Sequence, residues 1–272
     1  MAKSKYLNNK DLLLEIHKSK KKYSSYISDE DSDFDIIVPD IKKINIRSVA
    51  EARRNKIKKL EKATGEKINP KTMLKQDLVF RVMTFDHVPN SNRKAKPKTI
   101  AETKIKCNFP PFQHYRFDDK AKLQCVGKSH WKDGMENGHF SVDHGAMTPK
   151  LAKMFVLLVQ RYGTRGNWRG YTYNDEMQGQ ALMQLMQLSQ IGLQFDESKS
   201  ENPFAYYTAA ITNSFTRILN VEKKNQGLRD DLLQENGMMP SHTRQIEHEL
   251  RQKELVKIED HKEAERKKRL TD

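Results

Sequence analysis

The residues best suited to carry chemistry lie in one short stretch of the chain, between Cys107 and His144. Cysteine thiolates and imidazoles are the ligands that Zn²⁺ prefers, so a zinc site is one hypothesis for this stretch. The spacing argues against it, because no CxxC pair occurs and the histidines lie on glycine-rich loops such as KDGMENGH. We therefore predict no metal site and a small irregular lobe with ordinary packed side chains. The six residues concerned are Cys107, His114, Cys125, His130, His139 and His144.

Two acidic pairs are the remaining candidates for catalysis. Asp118 lies next to Asp119, and Asp143 next to His144, which could imitate the acid and base of a hydrolase or nuclease. The chain has no phosphate-binding loop, nucleophile elbow or spaced carboxylate cluster to accompany them. We predict no catalytic residue and no cofactor, and hence a protein that is not an enzyme.

The charge of the chain indicates a polyanionic partner. The 272 residues carry a formal net charge of +14, with a pI near 9.5. Each lysine or arginine placed on a phosphate releases condensed counterions, so such a surplus favours nucleic-acid binding. The N-terminal sequence MAKSKYLNNK has no secretory signal, and no apolar run approaches the ~20 residues that cross a bilayer. These features predict a soluble, intracellular protein.

The segment from Thr148 to Lys224 predicts three packed helices. In the first, Thr148 is the N-cap, Pro149 takes the first helical position and Gly163 ends the helix. The second is predicted from about Asn174 towards Leu193. It is apolar nearly all round, which predicts a central position in the bundle.

The third helix is announced by Asn202 and Pro203 and is predicted to break at Gly227. Apolar residues at helical spacing predict a buried stripe, and polar residues lie off it. The stripe contains Phe204, Tyr207, Ile211, Phe215, Ile218 and Leu219; the residues off it are Tyr206, Asn213, Arg217, Asn220 and Lys224.

The rest of the chain before residue 107 predicts five further segments. A short amphipathic helix lies near the N-terminus and is followed by the acidic stretch SDEDSDFDIIVPDI, either a flexible linker or a protein-binding or DNA-mimicking peptide. A basic, solvated helix without a site ends at Gly65, and residues 77–88 alternate like a strand. Residues 89–99 are predicted to form a loop.

We predict four regions: an N-terminal helix and acidic linker (1–40), a basic helix and irregular insert (41–147), the helical core (148–235) and a charged C-terminal helix (236–272).

Two stretches of this sequence resemble a known family. The acidic, Gln-rich start of the second helix and the stretch GLQFDESKSENPFAYYTAAITNSF resemble region 2 of bacterial sigma factors. Together with YLNNKDLL near the N-terminus, they are similar to the short late-transcription sigma factors of T-even-type phages. The resemblance implies a mainly α fold: a sigma region 2-like helical bundle with an irregular, partly β insert and flexible termini.

The resemblance implies DNA contacts by the third helix. Phe204 and Tyr207 match the aromatic pair that holds the non-template strand, and Tyr206 takes that role if both are wholly in the core. An aromatic ring that stacks a base returns ~1–3 kcal/mol, enough to offset much of the cost of unstacking it. The further DNA-binding candidates are Asn213, Arg217, Lys223 and Lys224 on this helix, and Arg165, Trp168 and Arg169 on the loop before the second helix.

The resemblance also implies contact of the second helix with the clamp helices of the largest RNA polymerase subunit. Asp175 and Gln178 match the polar positions of that contact, and Gln180 and Gln184 are added as neighbours; alternatively, the glutamines simply cover the bundle. The family's tryptophan wedge is replaced by Ala210 and Ile211, so melting must be weaker or organised differently.

The implied function is that of a sigma factor. It would act in the host cytoplasm, bind host RNA polymerase core, and direct it to AT-rich promoter DNA of phage late genes. A phage co-activator and the replication sliding clamp are further implied partners, although the C-terminal RKKRLTD does not match the clamp-binding peptide. A polymerase-independent DNA- or RNA-binding protein is one alternative, and a zinc-dependent enzyme or zinc-stabilised module centred on Cys107 to His144 is the other.

Overall fold

The structure is a computed structural model that describes residues 7–89, 97, 102–103, 105–187 and 192–271. In these residues six α-helices make up about half of the chain, with a small mixed sheet beside them. The predicted mainly helical class therefore fits at this coarse level. The helices are α1 Asn9–Lys21, α2 Ile46–Thr64, α3 Pro149–Gly163, α4 Asn174–Met186, α5 Pro203–Glu235 and α6 His242–Thr271.

The chain divides into two compact units, which are Met1–Phe215 and Thr216–Asp272. This division differs from the predicted one. The predicted boundaries after residues 40 and 147 fall inside the first unit, because the N-terminal helix, the sheet and the bundle pack on one another. The boundary predicted after residue 235 falls inside the second unit.

A five-stranded sheet forms the middle of the first unit, with strand order β1-β5-β4-β3-β2. β2 and β3 pair in parallel and the other neighbours are antiparallel. The predicted strand in residues 77–88 is confirmed as β3, whereas the irregular lobe predicted over 107–144 is wrong, since β4 and β5 lie inside the sheet. The loop predicted over residues 89–99 lies almost wholly outside the described residues. The strands are β1 Ser24–Tyr26, β2 Ile36–Val38, β3 Val79–Met83, β4 Phe112–Phe117 and β5 Leu123–Ser129, with a separate hairpin of β6 Trp131–Lys132 and β7 His139–Phe140.

The helix α2 covers one face of this sheet. Its start is fixed by Asn45, whose side chain accepts from the amides of the first turn. Its end is fixed by Gly65, whose φ of +77° is the left-handed conformation that favours glycine. These bounds confirm the predicted ones. Ala52 and Ile57 are buried against Phe80 of β3, so the inner side of this basic helix belongs to the core.

The acidic stretch after α1 is part of the sheet, so its interpretation as a flexible linker or free peptide is wrong. Asp31 is 3 % exposed and lies 3.2 Å from the Arg116 guanidinium. The Asp35 carboxylate accepts a hydrogen bond from the Val79 amide at 3.0 Å. Burial next to cations and amide donors gives these aspartates partners inside the fold.

The N-terminal helix is packed rather than flexible. Ile16 of α1 has no exposed surface, and Ser19 accepts from the amide of Thr148 at 3.0 Å. The Thr148 hydroxyl donates to Glu15, which joins α1 to the start of α3. The predicted α1 is therefore confirmed and is packed on the fold, whereas residues 1–6, for which flexibility was also predicted, lie outside the described residues.

The helices α3, α4 and the start of α5 form the predicted bundle. Aromatic rings fill its centre: Phe155 lies 4.8 Å from Tyr207, and Tyr162 lies 5.2 Å from Phe215. The helix α4 ends at Met186, short of the predicted end. Residues 188–191 lie outside the described part. A single stripe of α4 is buried, so its predicted central position is wrong; the stripe consists of Met177, Ala181 and Leu185.

The second unit contains the C-terminal part of α5 and the helix α6. The break predicted at Gly227 is wrong, because α5 continues to Glu235; one glycine inside a helix costs only ~1 kcal/mol. The backbone amide and hydroxyl of Ser241 both donate to Asp230, which fixes the start of α6. The large apolar side chains of α6 from Ile246 to Ile258 are exposed; Leu250, for example, is 56 % exposed. No helix in the described residues is long and apolar enough to span a membrane.

Candidate nucleic-acid and polymerase surfaces

The junction between α4 and α5 is held by a lysine of α1. Lys20 has no exposed surface, and its ammonium donates to both carboxylate oxygens of Glu197 at 2.7 and 2.8 Å. It also donates to the carbonyl of Phe195 at 2.7 Å. Burial lowers the pKa of Lys20, and the Glu197 carboxylate opposes that shift. The junction is therefore fixed by a buried ion pair.

The start of α5 is held by the same helix. The Asn9 side chain accepts a hydrogen bond from the Phe204 amide at 3.1 Å, and Asn202 accepts from Ala205 at 3.1 Å. Both are caps for amides that have no partner within their own helix. The sequence YLNNKDLL and the sequence FDESKSENPFAYY, which carry the family resemblance, thus contact each other directly.

Tyr207 lies in the core of the bundle. It has no exposed surface, its hydroxyl donates to the Gly192 carbonyl at 2.6 Å, and burial raises its pKa well above the ordinary value. A ring in this position has no face free for a base, so the structure contradicts the stacking role predicted for Tyr207. Phe204 is half-buried at the first turn of α5.

Tyr206 is partly accessible at this site, as is Phe204. It is half-buried, and its ring meets Phe195 at 5.5 Å and Tyr207 at 5.2 Å, both in edge-on geometry. Two contacts to buried rings limit the movement of Tyr206 while part of it stays in solvent. Tyr206 was predicted to take the stacking role if both Phe204 and Tyr207 were wholly in the core. This holds for Tyr207, whereas Phe204 is half-buried.

Polar residues predicted to contact DNA are exposed along α5. Asn213 is exposed at the usual helical spacing of seven residues from Tyr206, so that both share one face of the helix. Arg217, four residues further on, is also exposed and continues this helical spacing. Lys223 and Lys224 are likewise exposed. These three cations have no ion pair within the described residues.

The loop before α4 divides into packed and exposed residues. Trp168 is 9 % exposed and lies 5.3 Å from Phe215, so the structure contradicts its predicted role in DNA binding. Arg169 is exposed, and the Arg165 guanidinium lies over the Tyr162 ring at 4.6 Å. Of this loop, the two arginines remain available to a phosphate.

The four residues predicted to bind polymerase do not share one face of α4. Asp175 is exposed in the first turn, whereas the Gln178 amide donates to Asn174 at 2.7 Å and is half-buried. Gln180 and Gln184 are four residues apart and half-buried on another side. The structure therefore gives Gln178 a packing role and leaves Asp175 accessible.

The exposed face of α4 includes residues that the sequence did not single out. Glu176 is exposed beside Asp175, and Met183 further along is 51 % exposed. The sequence predicted an α4 that is apolar nearly all round, and this pattern did not show that Met183 lies on the exposed side. An acidic turn followed by an exposed methionine is a surface that a protein partner can cover.

The cysteines and histidines between residues 107 and 144 were considered above as metal ligands. In the described residues no group of three or more potential ligands comes together, and both cysteines are free thiols. Burial raises the pKa of Cys107 to about 11 and also raises that of Cys125. Since Zn²⁺ binds the thiolate, a thiol held protonated is a poor ligand. His114 and His130 are fully buried inside the sheet region.

Comparison with known proteins gives no match: no family model, no curated protein and no solved structure is similar to this chain.

Proposed function

We propose that this protein is a sigma factor that binds bacterial RNA polymerase core and directs it to AT-rich promoters of phage late genes. The observation that carries the proposal is the contact between the two stretches that resemble the family. Asn9 and Lys20 hold the α4–α5 junction, and this places Tyr206 at the start of α5 with part of its ring in solvent.

The DNA-contacting residues in this proposal are Tyr206 and Asn213 in the first unit and, separately, Arg217 in the second unit. A base that leaves the duplex would stack on Tyr206, and AT steps are the cheapest to open. Asn213 would contact base edges and Arg217 phosphates, because amides can read bases whereas cations bind the backbone. Tyr207 would support Tyr206 from the core.

The polymerase-binding surface in this proposal is the exposed face of α4. Asp175 and Glu176 supply charge and Met183 supplies apolar area. Truncation of one well-placed contact costs ~1–2 kcal/mol or more at an interface. Asp175→Lys and Met183→Glu should each weaken binding to core polymerase about tenfold or more. Gln178→Ala should have a smaller effect on this binding.

The deciding experiment is run-off transcription by bacterial core polymerase on AT-rich phage late promoters. Transcription should require the protein and should fall about tenfold with Tyr206→Ala, given ~1–3 kcal/mol for one stacked base. Tyr207→Phe is the matched control, because it removes the buried hydroxyl of Tyr207 and leaves the partly exposed ring of Tyr206 in place. A protein that neither binds core polymerase nor directs initiation would refute the proposal.

A second candidate function is nucleic-acid binding without polymerase. The net charge of +14 and the unpaired cations on α5 favour it. It predicts tight, salt-sensitive binding by the protein alone and no dependence of transcription on it. The run-off experiment separates the two candidates.

A further inference from the structure

The outer face of α2 carries a row of arginines and lysines that the proposed function does not use. The helix has seven basic and two acidic residues, a net charge of +5. Five of the basic residues are exposed, and four of these lie seven, four and four residues apart, a spacing that puts them within one side of a helix. They are Arg47, Arg54, Lys58 and Lys62.

The remaining polar contacts of α2 show how this row is kept outward. Lys56 donates to the carbonyl of Asp77, Lys59 to that of Phe34, and Asn55 to that of Asp35. With Ala52 and Ile57 in the core, these bonds fix the rotation of α2 on the sheet. The row is therefore presented by a rigid element rather than by a mobile loop.

The four cations lack partners of their own. Within the described residues none of their side chains makes a hydrogen bond or an ion pair, although Glu51 lies on the same side of the helix. Two exposed lysines, Lys42 and Lys43, precede the helix and add to the same charge. Like charges held in a row repel one another, and an external polyanion would relieve that repulsion.

The shape and composition of the row identify the polyanion. Fifteen residues of helix span roughly 22 Å, and one DNA strand presents a phosphate about every 3.4 Å of axis, so the row spans about six phosphates. Single-strand binders also supply aromatic rings on which bases stack. The helix α2 contains no aromatic residue, so the row suits a regular duplex backbone and not an unpaired strand.

We propose that the exposed face of α2 is a binding surface for the phosphate backbone of duplex DNA. The contact is independent of sequence and adds affinity and position without reading bases. That the duplex is DNA next to a promoter rests on the proposed function, whereas the contact with phosphates rests on the charges alone.

The test measures duplex binding by the whole protein without polymerase. Fluorescence anisotropy reports the binding at a series of salt concentrations. The probe is a labelled DNA duplex of no promoter sequence. Replacing the four cations together by glutamine should weaken binding at least about tenfold at low salt. It should also reduce the slope of log K against log salt by up to about 3.6, since each phosphate contact contributes about 0.9.

Two further variants separate the effect of the row from that of net charge, and circular dichroism checks that each variant is folded. Replacing four exposed cations of α6, Arg251, Lys253, Lys257 and Lys262, by glutamine removes the same charge and should leave the slope near that of the wild type. Glu51→Gln should tighten binding by roughly twofold or more, because it removes an exposed acidic side chain beside the row. Circular dichroism should show an unchanged helix content for each variant.

Three outcomes would overturn the proposal: no binding of the duplex by the wild-type protein at low salt, equal losses from the α2 and α6 substitutions, or tighter binding of a single-stranded or RNA probe than of duplex DNA. Run-off transcription in the same variants keeps the two proposals apart. A protein that supports transcription but fails these binding tests contradicts the role of α2 alone.

Discussion

Among the described residues of the first unit two cations are buried, Lys20 in α1 and Arg81 in the sheet, and they are stabilised in different ways. Lys20 has a carboxylate partner, Glu197, at 2.7 Å. Arg81 is 1 % exposed and has no carboxylate within ion-pair distance in the described residues. Its guanidinium lies between the rings of Phe34 and Phe112, 3.8 and 3.9 Å from their centroids.

The hydrogen bonds of Arg81 go to two imidazoles. Its Nε donates to Nε2 of His114 at 3.0 Å, and its Nη1 lies 3.2 Å from Nδ1 of His17. The other ring nitrogen of His114 lies 2.6 Å from the Asp31 carbonyl and donates to it. Both imidazoles must be uncharged to accept from Arg81. One buried charge is thus neutralised by a carboxylate, and the other depends on rings and neutral acceptors.

This difference indicates which substitution should destabilise the protein more. Replacing Lys20 removes the charge that compensates Glu197, whereas replacing Arg81 removes a charge whose own burial is costly. A buried carboxylate that loses its cation remains charged and unpaired, whereas the rings and imidazoles around a lost guanidinium are neutral. Substituting the lysine should therefore cost more than substituting the arginine, although arginine is the larger side chain.

Lys20→Met should have the largest effect on stability. It leaves Glu197 and the Phe195 carbonyl without a donor, and loss of one partner of a buried pair costs ~3–5 kcal/mol. Denaturant unfolding measures this loss. Adding Glu197→Leu to the same chain should recover much of it. A cost below about 1 kcal/mol for Lys20→Met would contradict the difference between the two sites.

Arg81→Met should cost less, about 2 kcal/mol of unfolding free energy. A desolvated cation–π contact contributes roughly 2 kcal/mol and the lost hydrogen bonds about 1–3, but the desolvation of the guanidinium is removed as well. Arg81→Lys is the informative control, because it keeps the positive charge and loses the planar guanidinium that reaches both imidazoles. If Arg81→Met costs more than Lys20→Met, the comparison fails.

Acid should destabilise the Arg81 site. Burial, followed by the charge of Arg81, lowers the pKa of His114 well below 6.5, and the same causes lower that of His17 to about 2. The unfolded imidazoles take up protons below about pH 6.5 while the folded ones do not. Stability is therefore complete above that pH and is lost as the pH falls towards the folded pKa values.

The size of this acid effect should be about 1.4 kcal/mol per pH unit for His114. His17 should contribute less, because 26 % of its side chain is exposed. Denaturant unfolding between pH 7 and pH 5 measures the slope, and His17→Gln should lower it slightly. A substitution at the exposed His139 is the matched control. A slope of zero would show that the imidazoles are not held neutral.

Asn9→Ala should have the smallest effect, about 1 kcal/mol, which is typical for the loss of a helix cap. It tests the hydrogen bond between the Asn9 side chain of α1 and the Phe204 amide of α5, a contact between uncharged groups. Hydrogen exchange of the Phe204 amide should become faster, while the amides of α2 should exchange as before. Asn9→Asp keeps an acceptor and should restore the protection. Unchanged exchange at Phe204 in Asn9→Ala would contradict the cap.

Local signals allowed part of the fold to be predicted. Thr148, Pro149 and Gly163 mark the ends of α3, and Gly65 marks the end of α2, because caps act within one turn of the chain. The alternation in residues 77–88 predicted β3. In the candidate site, the polar residues of α5 were found from helical spacing alone, and they are exposed as the spacing indicated.

Long-range packing decided the rest. Lys20 lies in the run KSKKK, where its neighbours Lys21 and Lys22 are exposed, and nothing local shows which lysine is buried. The same holds for Tyr206 and Tyr207: the pattern left both open to stacking, and the bundle buried one of them. β4 and β5 escaped prediction because strands gain stability from partners distant in sequence.

The sequence by itself therefore determined where helices start and end, the charge of α2 and the polar side of α5. These properties depend on residues within a few positions of each other. The tertiary structure alone decided which cations are buried, which tyrosine stays accessible and which parts of the chain hold the α4–α5 junction. The physical reason is that burial is set by neighbours far away in the sequence; Lys20 and Glu197, for example, are 177 positions apart.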